Sequence, residues 1–315
     1  MTPTSHRTGD LFVLAFDHRT SLRRMLTVGS PAAEVSTESL MALKSLIYEG
    51  LLLAIASGSA TATSAGILVD EGMGSAIARD ARQRGLKVAI PVEASGRDEF
   101  AFEYGDDFGN HIEDLDPTYA KVLVRYNPEG DAELNRRQSE RLSRLCAWLR
   151  EHRRQLMIEL LVPPRPEQLE HVGGDQTRYD NELRPALMCR AIEELQNYGV
   201  NAAIWKIEGL LDPADCRRVS EVARRDGRDD VTCVVLGRGA DAAMVERWLV
   251  AGAGVDGFHG FAIGRTIFED AIIGFCDGRT ERDAAVAAIA QRYAHFVDVY
   301  RAAVSGKIRG GHRDL

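Results

Sequence analysis

The chain has 315 residues, of which 45% are hydrophobic and 27% charged, a composition typical of a soluble protein with a substantial core. Its formal net charge of −8 argues against a general binder of nucleic acid or of membrane surfaces and restricts any cationic site to a focal pocket. Five scattered cysteines without CxxC spacing argue against a disulfide or zinc framework and predict reduced thiols on buried faces. The apolar run that follows the N-terminal residues is short, so no signal peptide is apparent and we expect a cytoplasmic protein.

Short apolar runs alternate along the chain with amphipathic stretches. Eight runs predict strands, at residues 11–16, 65–69, 86–92, 120–126, 156–162, 202–207, 232–236 and 257–263. The amphipathic stretches predict helices at residues 38–56, 71–84, 132–153, 180–198, 212–225 and 240–252, with a last helix at about 280–304. The connection between the third and fourth strands is the least clear.

The alternation of strands and helices predicts right-handed βαβ units and a parallel sheet. Eight units in a chain of this length favour a single-domain (β/α)8 TIM barrel, an α/β fold, over residues 1–304, followed by a C-terminal tail at 305–315. An open doubly wound sheet is disfavoured because no GxGxxG follows the first strand. No Pro- or Ser-rich linker divides the chain.

Two connections are longer than packing requires. They span residues 94–118 after the third strand and residues 162–179 after the fifth. Both follow the C-terminal end of a strand, which is the catalytic face of a barrel. Both are therefore predicted lids over a pocket.

A lysine lies in the middle of the sixth apolar run, in the stretch NAAIWKIEG. The chain uses lysine sparingly, because only five of its 39 basic residues are Lys. An arginine keeps its proton near neutral pH, whereas a desolvated lysine can become a neutral, nucleophilic amine. Strand alternation places Ile204, Lys206 and Glu208 on one face, which predicts that Lys206 points into the barrel near its catalytic end.

The same alternation directs three further ionisable side chains inward: Asp17 from the first strand, Lys121 from the fourth and Glu159 from the fifth. Burial and a neighbouring cation both favour the neutral form of an amine, and Lys121 would act in this way on Lys206. A structural ion-pair network is the alternative interpretation. Four charges converging on the catalytic end favour a catalytic site of the Schiff-base type instead, because buried charge is a costly structural device.

The seventh and eighth strands each end in a Gly-Arg turn. A single such turn is more often a helix start with a solvated cation. Two of them, in the loops where barrels commonly bind phosphate, predict a phosphate site. The candidate residues are Gly237, Arg238, Gly239, Gly264 and Arg265.

Weaker candidates lie at other strand ends. His18, Arg19 and Arg125 could each hold a substrate carboxylate or serve a structural role. Asp70, with Glu71, could contact substrate hydroxyls or cap the next helix. His259 lies on an apolar strand and is interpreted as a core histidine, and no His/Asp/Glu cluster has metal-binding spacing.

Several segments, spread over nearly the whole chain, resemble the 5-dehydro-2-deoxyphosphogluconate aldolases of myo-inositol catabolism. They also resemble, more distantly, class I tagatose-bisphosphate aldolases, which carry a K-V-E motif on strand six where this chain has KIE. The segments read LAFDHRTSL, ILVDEGMG, IPVEASGRDEFAFEYGDDFGNHI, AKVLVRYNPEGD, LLVPPRPEQL, ELRPALMCRAIEELQNYGV, WKIEGL, VLGRGAD and GFAIGRTIF.

The resemblance implies a metal-independent aldolase without a cofactor, in which Lys206 forms the Schiff base and Asp17, Lys121 and Glu159 complete the catalytic set. The implied reaction splits 5-dehydro-2-deoxy-6-phosphogluconate into dihydroxyacetone phosphate and 3-oxopropanoate. Two alternatives remain: an aldolase for tagatose bisphosphate or a sulfo-sugar phosphate, and a non-catalytic barrel that binds a sugar phosphate. In each case the partner is a small sugar phosphate, with no nucleic acid or membrane. Whether the chain forms a homo-oligomer stays open.

Overall fold

The computed structural model describes residues 9–20, 22–23 and 36–310, with side chains as far as residue 306. Within these ranges eight parallel strands form a closed barrel in sequence order, with β1 paired to both β2 and β8. The predicted TIM barrel and all eight predicted strands are confirmed. The strands are β1 (Leu11–Ala15), β2 (Ala65–Leu68), β3 (Lys87–Pro91), β4 (Tyr119–Arg125), β5 (Gln155–Leu161), β6 (Ile204–Glu208), β7 (Thr232–Leu236) and β8 (Phe258–Ile263).

Helices surround the barrel and connect its strands. We number them in chain order as α1 (Thr37–Ala56), α2 (Glu71–Gln83), α3 (Phe108–Leu115), α4 (Ala132–Glu151), α5 (Pro166–His171), α6 (Arg184–Asn197), α7 (Pro213–Ala223), α8 (Ala242–Gly252), α9 (Arg265–Cys276) and α10 (Arg282–Gly310). A helical turn, Gln176–Arg178, and a π-helical segment, Tyr179–Leu183, lead directly into α6.

The two faces of each strand have different partners. Outward-facing side chains such as Trp205 and Ile158 join the large core between barrel and helices. Inward-facing side chains such as Val13, Met157 and Ile204 form a smaller cluster inside the barrel. Because side chains alternate along a strand, the residues that follow this inner cluster toward the C-terminal ends also point inward. Polar residues at those positions therefore meet in one place.

Several helices begin at an aspartate that directly follows a strand or loop. Asp70 accepts a hydrogen bond from the Met73 N–H (3.0 Å) and is ion-paired with the buried Lys44. Of the two roles considered for Asp70, helix capping is therefore the one that the structure supports. Lys44 also donates to the Phe16 carbonyl oxygen (2.6 Å), so the pair fixes the chain just after β1.

The structure differs from the sequence expectations at three places. The third connection contains a short helix, α3, after an irregular segment. The last helix continues to Gly310 rather than ending near residue 304, and residues 311–315 lie outside the described residues. Cys276 is exposed at the end of α9, because it falls on the outer face of that helix, whereas Cys146, Cys216 and Cys233 are buried as expected.

Helix α1 is long and apolar enough to cross a membrane by length and composition. Within the most apolar stretch of α1, 50% is buried against the rest of the protein. Core helices of soluble proteins can be equally long and apolar. In the barrel, α1 packs against α10 and α2.

Candidate active site

The register of β5 and β6 places Glu159 directly beside Lys206. Glu159 Oε1 lies 2.9 Å from Lys206 Nζ, and its second oxygen, Oε2, lies 2.9 Å from Lys121 Nζ. One carboxylate therefore bridges two amines. All three side chains are largely buried, with exposed fractions of 6% for Lys206, 13% for Glu159 and 2% for Lys121.

Lys121 is held by two further carboxylates. Its Nζ lies 3.0 Å from Asp17 Oδ2 and 2.7 Å from Glu93 Oε1. The charge of Lys121 is thus compensated by three acidic side chains. Glu159 lies between the two amines, so the direct repulsion of Lys206 by Lys121 expected from the sequence is offset by this shared carboxylate.

Burial and the two amines set the protonation of these carboxylates. Burial alone would raise the pKa of Asp17 and of Glu159, but the positive charges of Lys121 and Lys206 outweigh it and hold both pKa values below their usual range. Burial raises the pKa of Glu93, and the negative charge of Asp17 adds to this shift. Burial would lower the pKa of Lys121, but its carboxylate partners raise it well above the usual value. Two carboxylates of the cluster therefore stay ionised, and Glu93 is the easiest of the three to protonate.

A pocket of about 310 Å³ opens above these residues at the C-terminal ends of the strands. Asp17, Lys121, Glu159 and Lys206 all line it. The seven candidates for binding the anionic groups of a substrate also line it: Arg19, Arg125, Gly237, Arg238, Gly239, Gly264 and Arg265. The structure thus brings these eleven residues to one cavity, whereas the weaker candidates Asp70 and Glu71 do not line it.

Arg265 is the first residue of α9, so it combines a cation with the free N–H groups of a helix N-terminus. Among the described residues, no carboxylate or carbonyl group is bonded to its side chain. Gly239 has a φ of +70°, and a Cβ at this position would clash with the Arg265 guanidinium. Glycine at residue 239 therefore suits the backbone conformation and leaves room for the Arg265 guanidinium in its present position.

Arg238 has a different environment from Arg265. Its NH1 lies 2.7 Å from Asp180 Oδ2, and its Nε lies 3.1 Å from Glu208 Oε1. Its φ of +50° is in the left-handed region, which is uncommon for a residue with a side chain. The side chain is thus tied to two acidic groups at the edge of the pocket.

The candidates for holding a carboxylate also differ from one another. Arg19 is ion-paired with Glu103 (3.1 Å) and donates to the Glu93 carbonyl oxygen (2.9 Å). Arg125 donates to the carbonyl oxygen of Arg97 (2.9 Å), which lies in the loop after β3. The Arg97 side chain is exposed, lines the pocket and is bonded to none of the described residues. Arg125 is also 3.9 Å from the exposed carboxylate of Asp98, a longer ion pair than that of Arg19, so Arg97 is the most available of the three to a ligand.

Only one of the two predicted lids lines the pocket. The segment that follows β3 contributes lining residues from Ala94 to Phe100, and α4 anchors it. The Phe100 N–H donates to Gln138 Oε1 (2.9 Å), and Gln138 Nε2 donates to the Arg125 carbonyl oxygen (3.0 Å). The second predicted lid, residues 162–179, supplies no lining residue and instead contains α5 and the helical turn before α6.

His18 lies beside the phosphate candidates. Burial lowers the pKa of its imidazole to about 4, so the ring is neutral near pH 7. Its Nδ1 is buried and bonded to none of the described residues. The ring contacts Phe268 edge-on, with centroids 5.8 Å apart, and a Cβ on Gly264 would lie 3.0 Å from its Cε1.

A family model described as "Uncharacterized protein conserved in bacteria (DUF2090)" matches residues 1–304. The chain belongs to this family. No curated protein matches the sequence. Among solved structures, this DUF2090 chain is similar to fructose-bisphosphate aldolase from Plasmodium falciparum, determined as a ternary complex with TRAP and a small-molecule inhibitor. The TM-score is 0.66 over 93% of this chain and 91% of that chain, at 11% identity, which shows a shared barrel fold.

Sequence reasoning missed three groups in the site of this DUF2090 protein. Glu93 follows Ala89 and Pro91 on the inner face of β3, so strand alternation could have found it as the third partner of Lys121. No local sequence pattern marks Arg97 as a site residue beyond its place in a long loop. Asp180 pairs with Arg238, which is 58 residues away in the chain, and no local pattern predicts that pair. Within the described residues, no group of three or more His, Cys, Asp or Glu side chains is arranged to hold a metal ion.

Proposed function

We propose that this protein is a class I aldolase that cleaves a sugar phosphate through a Schiff base on Lys206. The observation that carries the proposal is the bridge made by Glu159, which lies 2.9 Å from Lys206 Nζ on the floor of the pocket. An amine that attacks a ketone needs a group that can accept and return protons within hydrogen-bond reach. Glu159 is such a group, and the second amine, Lys121, keeps it ionised between transfers.

Imine formation then follows a balanced sequence of proton transfers. Lys206 passes a proton to Glu159 and attacks the substrate ketone, and Glu159 returns the proton to the ketone oxygen to give a carbinolamine. Glu159 next takes a proton from the nitrogen and delivers it to the hydroxyl group, which leaves as water. The product is an iminium ion with one positive charge, and Glu159 ends ionised as it began.

The iminium ion accepts the electron pair of the bond that breaks. Asp17, which Lys121 and Lys206 keep ionised, would take the proton of the C3 hydroxyl group as the C3–C4 bond cleaves. The C3 fragment leaves as an aldehyde, and C4 becomes the carbon of an enamine on Lys206. Asp17 returns its proton to C4, and water hydrolyses the resulting iminium to free Lys206. One proton has moved from oxygen to carbon, and the charges balance.

The pocket has cationic groups at two opposite sides. Arg265 follows β8, whereas Arg125 ends β4, and these two strands lie four positions apart in either direction around the closed barrel. Arg97 lies beside Arg125. A substrate with an anionic group at each end would span the pocket with its ketone over Lys206, the phosphate near Arg265 and the other anion near Arg97 and Arg125.

A substrate with this pattern is 5-dehydro-2-deoxy-6-phosphogluconate, whose cleavage yields dihydroxyacetone phosphate and 3-oxopropanoate. The family resemblance in the sequence and the two cationic sides support it. The Schiff base would form at C5. The proposal places the enzyme in the cytoplasm with a small sugar phosphate as its partner, and its steps use only the chain's own residues.

The test is borohydride reduction of the protein with dihydroxyacetone phosphate, followed by peptide mass mapping. We expect a reduced three-carbon adduct on Lys206, absent in Lys206→Met and unchanged by EDTA. Turnover of 5-dehydro-2-deoxy-6-phosphogluconate, tagatose bisphosphate and a sulfo-sugar phosphate would then be compared. A higher kcat/KM for either of the last two would replace the substrate but keep the mechanism.

An unmodified Lys206, in a protein shown separately to bind the phosphate ligand, would contradict the Schiff-base mechanism. It would favour the alternative of a barrel that binds a sugar phosphate without cleaving it. The Lys206→Met variant should bind inorganic phosphate as the natural protein does, because Arg265 and α9 are unchanged. That control separates a lost nucleophile from a lost binding site.

A further inference from the structure

A cluster of four charged side chains, two of them buried, includes one of the phosphate candidates and takes no part in the chemistry proposed above. We define the Glu208 cluster as Asp180, Arg184, Glu208 and Arg238. It contains two acids and two arginines, so its formal charge sums to zero. Arg184 and Glu208 have side chains only 2% and 3% exposed.

The Glu208 cluster joins three separate parts of the chain. Glu208 ends β6, two residues beyond Lys206, and its Oε1 lies 3.0 Å from Arg184 NH1 and 3.1 Å from Arg238 Nε. Asp180 belongs to the π-helical segment before α6 and lies 2.7 Å from Arg238 NH1. The Val162 N–H donates to Glu208 Oε2 (2.9 Å), so the end of β5 is attached as well.

The Glu208 cluster accounts for the backbone conformation and the side-chain position of Arg238. The left-handed φ of +50° is strained for a residue other than glycine and persists only where the surroundings hold it. Two of the three guanidinium nitrogens of Arg238 already face carboxylates. Moving this side chain to a phosphate would leave Glu208 buried with one cation fewer.

The neighbouring residues show what the held turn does. Gly239 lies so close to the Arg265 guanidinium that a Cβ would not fit, and Thr266 donates to the Ala240 carbonyl oxygen (2.9 Å). The turn after β7 therefore packs directly on the first residues of α9. Its position sets the position of Arg265.

We infer that Arg238 is a positioning residue and not a phosphate ligand: Asp180 and Glu208 hold it so that the Gly237–Gly239 turn places Arg265 for an anion. This inference deepens the proposed function and rests on its phosphate site. It changes the role that the sequence pattern predicts for Arg238, from binding the ligand to orienting the residue that binds it.

The test is a double-mutant cycle on phosphate affinity. Inorganic phosphate is titrated by calorimetry into the full chain, into Asp180→Asn, into Arg238→Gln and into the double variant. We expect each single variant to weaken binding by roughly 3- to 10-fold and the double variant to weaken it no further, because both changes release the same turn. Glu208→Gln should weaken binding in the same direction.

Glu182→Gln is the matched control. It removes an exposed ion pair with Arg178 (2.8 Å) only two residues from Asp180, away from the pocket. We expect its phosphate affinity to stay within roughly twofold of the natural protein. A loss of stability alone would not move the affinity of the folded protein, so unfolding midpoints measured on all variants separate the two effects.

Two results would overturn the inference. If Asp180→Asn binds phosphate as well as or better than the natural protein while Arg238→Gln loses affinity, Arg238 is a direct ligand. If no variant changes the affinity, or the natural protein binds no phosphate, the turn has no such role. The trapping experiment separates failure of the proposed function from failure of this inference. If the variants change phosphate affinity as expected but no adduct forms on Lys206, the Schiff base is refuted and the positioning role of Arg238 stands.

Discussion

Lys206 and Lys121 share one carboxylate, Glu159, whose two oxygens each lie 2.9 Å from one of the amines. This arrangement separates two tasks. Lys121 is enclosed by acids and serves as a fixed positive charge, whereas Lys206 is ion-paired with a single acid among the described residues and faces the pocket. Glu159 can exchange protons with Lys206 while Lys121 holds its other oxygen in place.

Glu159→Gln should slow formation of the Lys206 adduct by roughly 10²- to 10⁴-fold, the usual contribution of a positioned general acid–base. The amide retains the size of the side chain but cannot accept a proton. The rate is measured by quenching the reaction of dihydroxyacetone phosphate with borohydride at successive times. Glu194→Gln is the control, because Glu194 accepts a hydrogen bond from the Tyr126 hydroxyl group (2.9 Å) and does not line the pocket. A Glu159→Gln rate within a few-fold of the natural rate would exclude the shuttle.

Lys121→Met should destabilise the protein by about 3–5 kcal/mol at pH 7.5, because it leaves Asp17, Glu93 and Glu159 together without their shared cation. The loss should be smaller at pH 5. Without Lys121 the three acids repel one another and their protonation in the folded state becomes favourable, so lowering the pH relieves the variant. Urea unfolding at both pH values measures the difference. Lys87→Met on β3, which removes a lysine outside the cluster, should destabilise the protein far less at either pH. If Lys121→Met loses the same stability at pH 7.5 and at pH 5, the charge argument is contradicted.

His18 should make the stability of the natural protein fall as the pH is lowered from about 6.5 toward about 4. The pKa of its imidazole is about 4 in the folded protein against 6.5 for the unperturbed group. Between these values the unfolded chain binds the extra proton, so the free energy of unfolding rises with pH. His18→Asn should flatten this part of the profile. The lowered pKa values of Asp17 and Glu159 also make the free energy of unfolding rise with pH, but at pH values below their unperturbed pKa values of 3.8 and 4.5.

The imidazole signals of His18 offer a direct check by NMR titration. A ring that becomes protonated near pH 6.5 in the folded protein would show that the side chain is not desolvated as the structure indicates. The stability slope assigned to it would then have another origin.

Gly239→Ala should weaken inorganic phosphate binding and also destabilise the protein by about 1 kcal/mol or more, since it adds a Cβ at positive φ against Arg265. Gly278→Ala is a closely matched control. Gly278 has a φ of +69°, but a Cβ there meets nothing within 4 Å. Both variants should therefore lose stability from the backbone, and only Gly239→Ala should lose affinity. Equal affinities in the calorimetric titration would show that Arg265 does not need this glycine.

Arg97→Ala should lower kcat/KM for the carboxylate-bearing substrate by roughly 10- to 100-fold, the scale of one charge-assisted contact. Trapping of dihydroxyacetone phosphate on Lys206 should be unchanged, because that ligand has only the phosphate end. Arg136→Ala, an exposed change on α4, is the control for a lost surface charge. If Arg97→Ala slows both reactions equally, the loop after β3 closes over the site without recognising the carboxylate.

The barrel and its inward-facing charges could be predicted from the sequence because both depend on local patterns. Strand alternation places Lys121, Glu159 and Lys206 on the inner face whatever the surrounding helices do, and parallel strands of a barrel end at the same face. The same rule applied to β3 would have found Glu93. Helix ends were less accurate: α10 continues to Gly310, about six residues beyond the end that the apolar pattern predicts.

Local patterns could not predict which arginine side chains are available to bind a ligand. Arg238 and Arg265 occupy similar Gly-Arg turns, yet Arg238 is paired with Asp180, which lies 58 residues away in the chain, and no described carboxylate is bonded to Arg265. Arg19 is likewise held by the Glu93 carbonyl group, 74 residues away. Residue type and local spacing assign a charge to a strand end. Its partner comes from whichever distant segment the folded chain brings within about 3 Å, the reach of a hydrogen bond, and no local pattern encodes that distance.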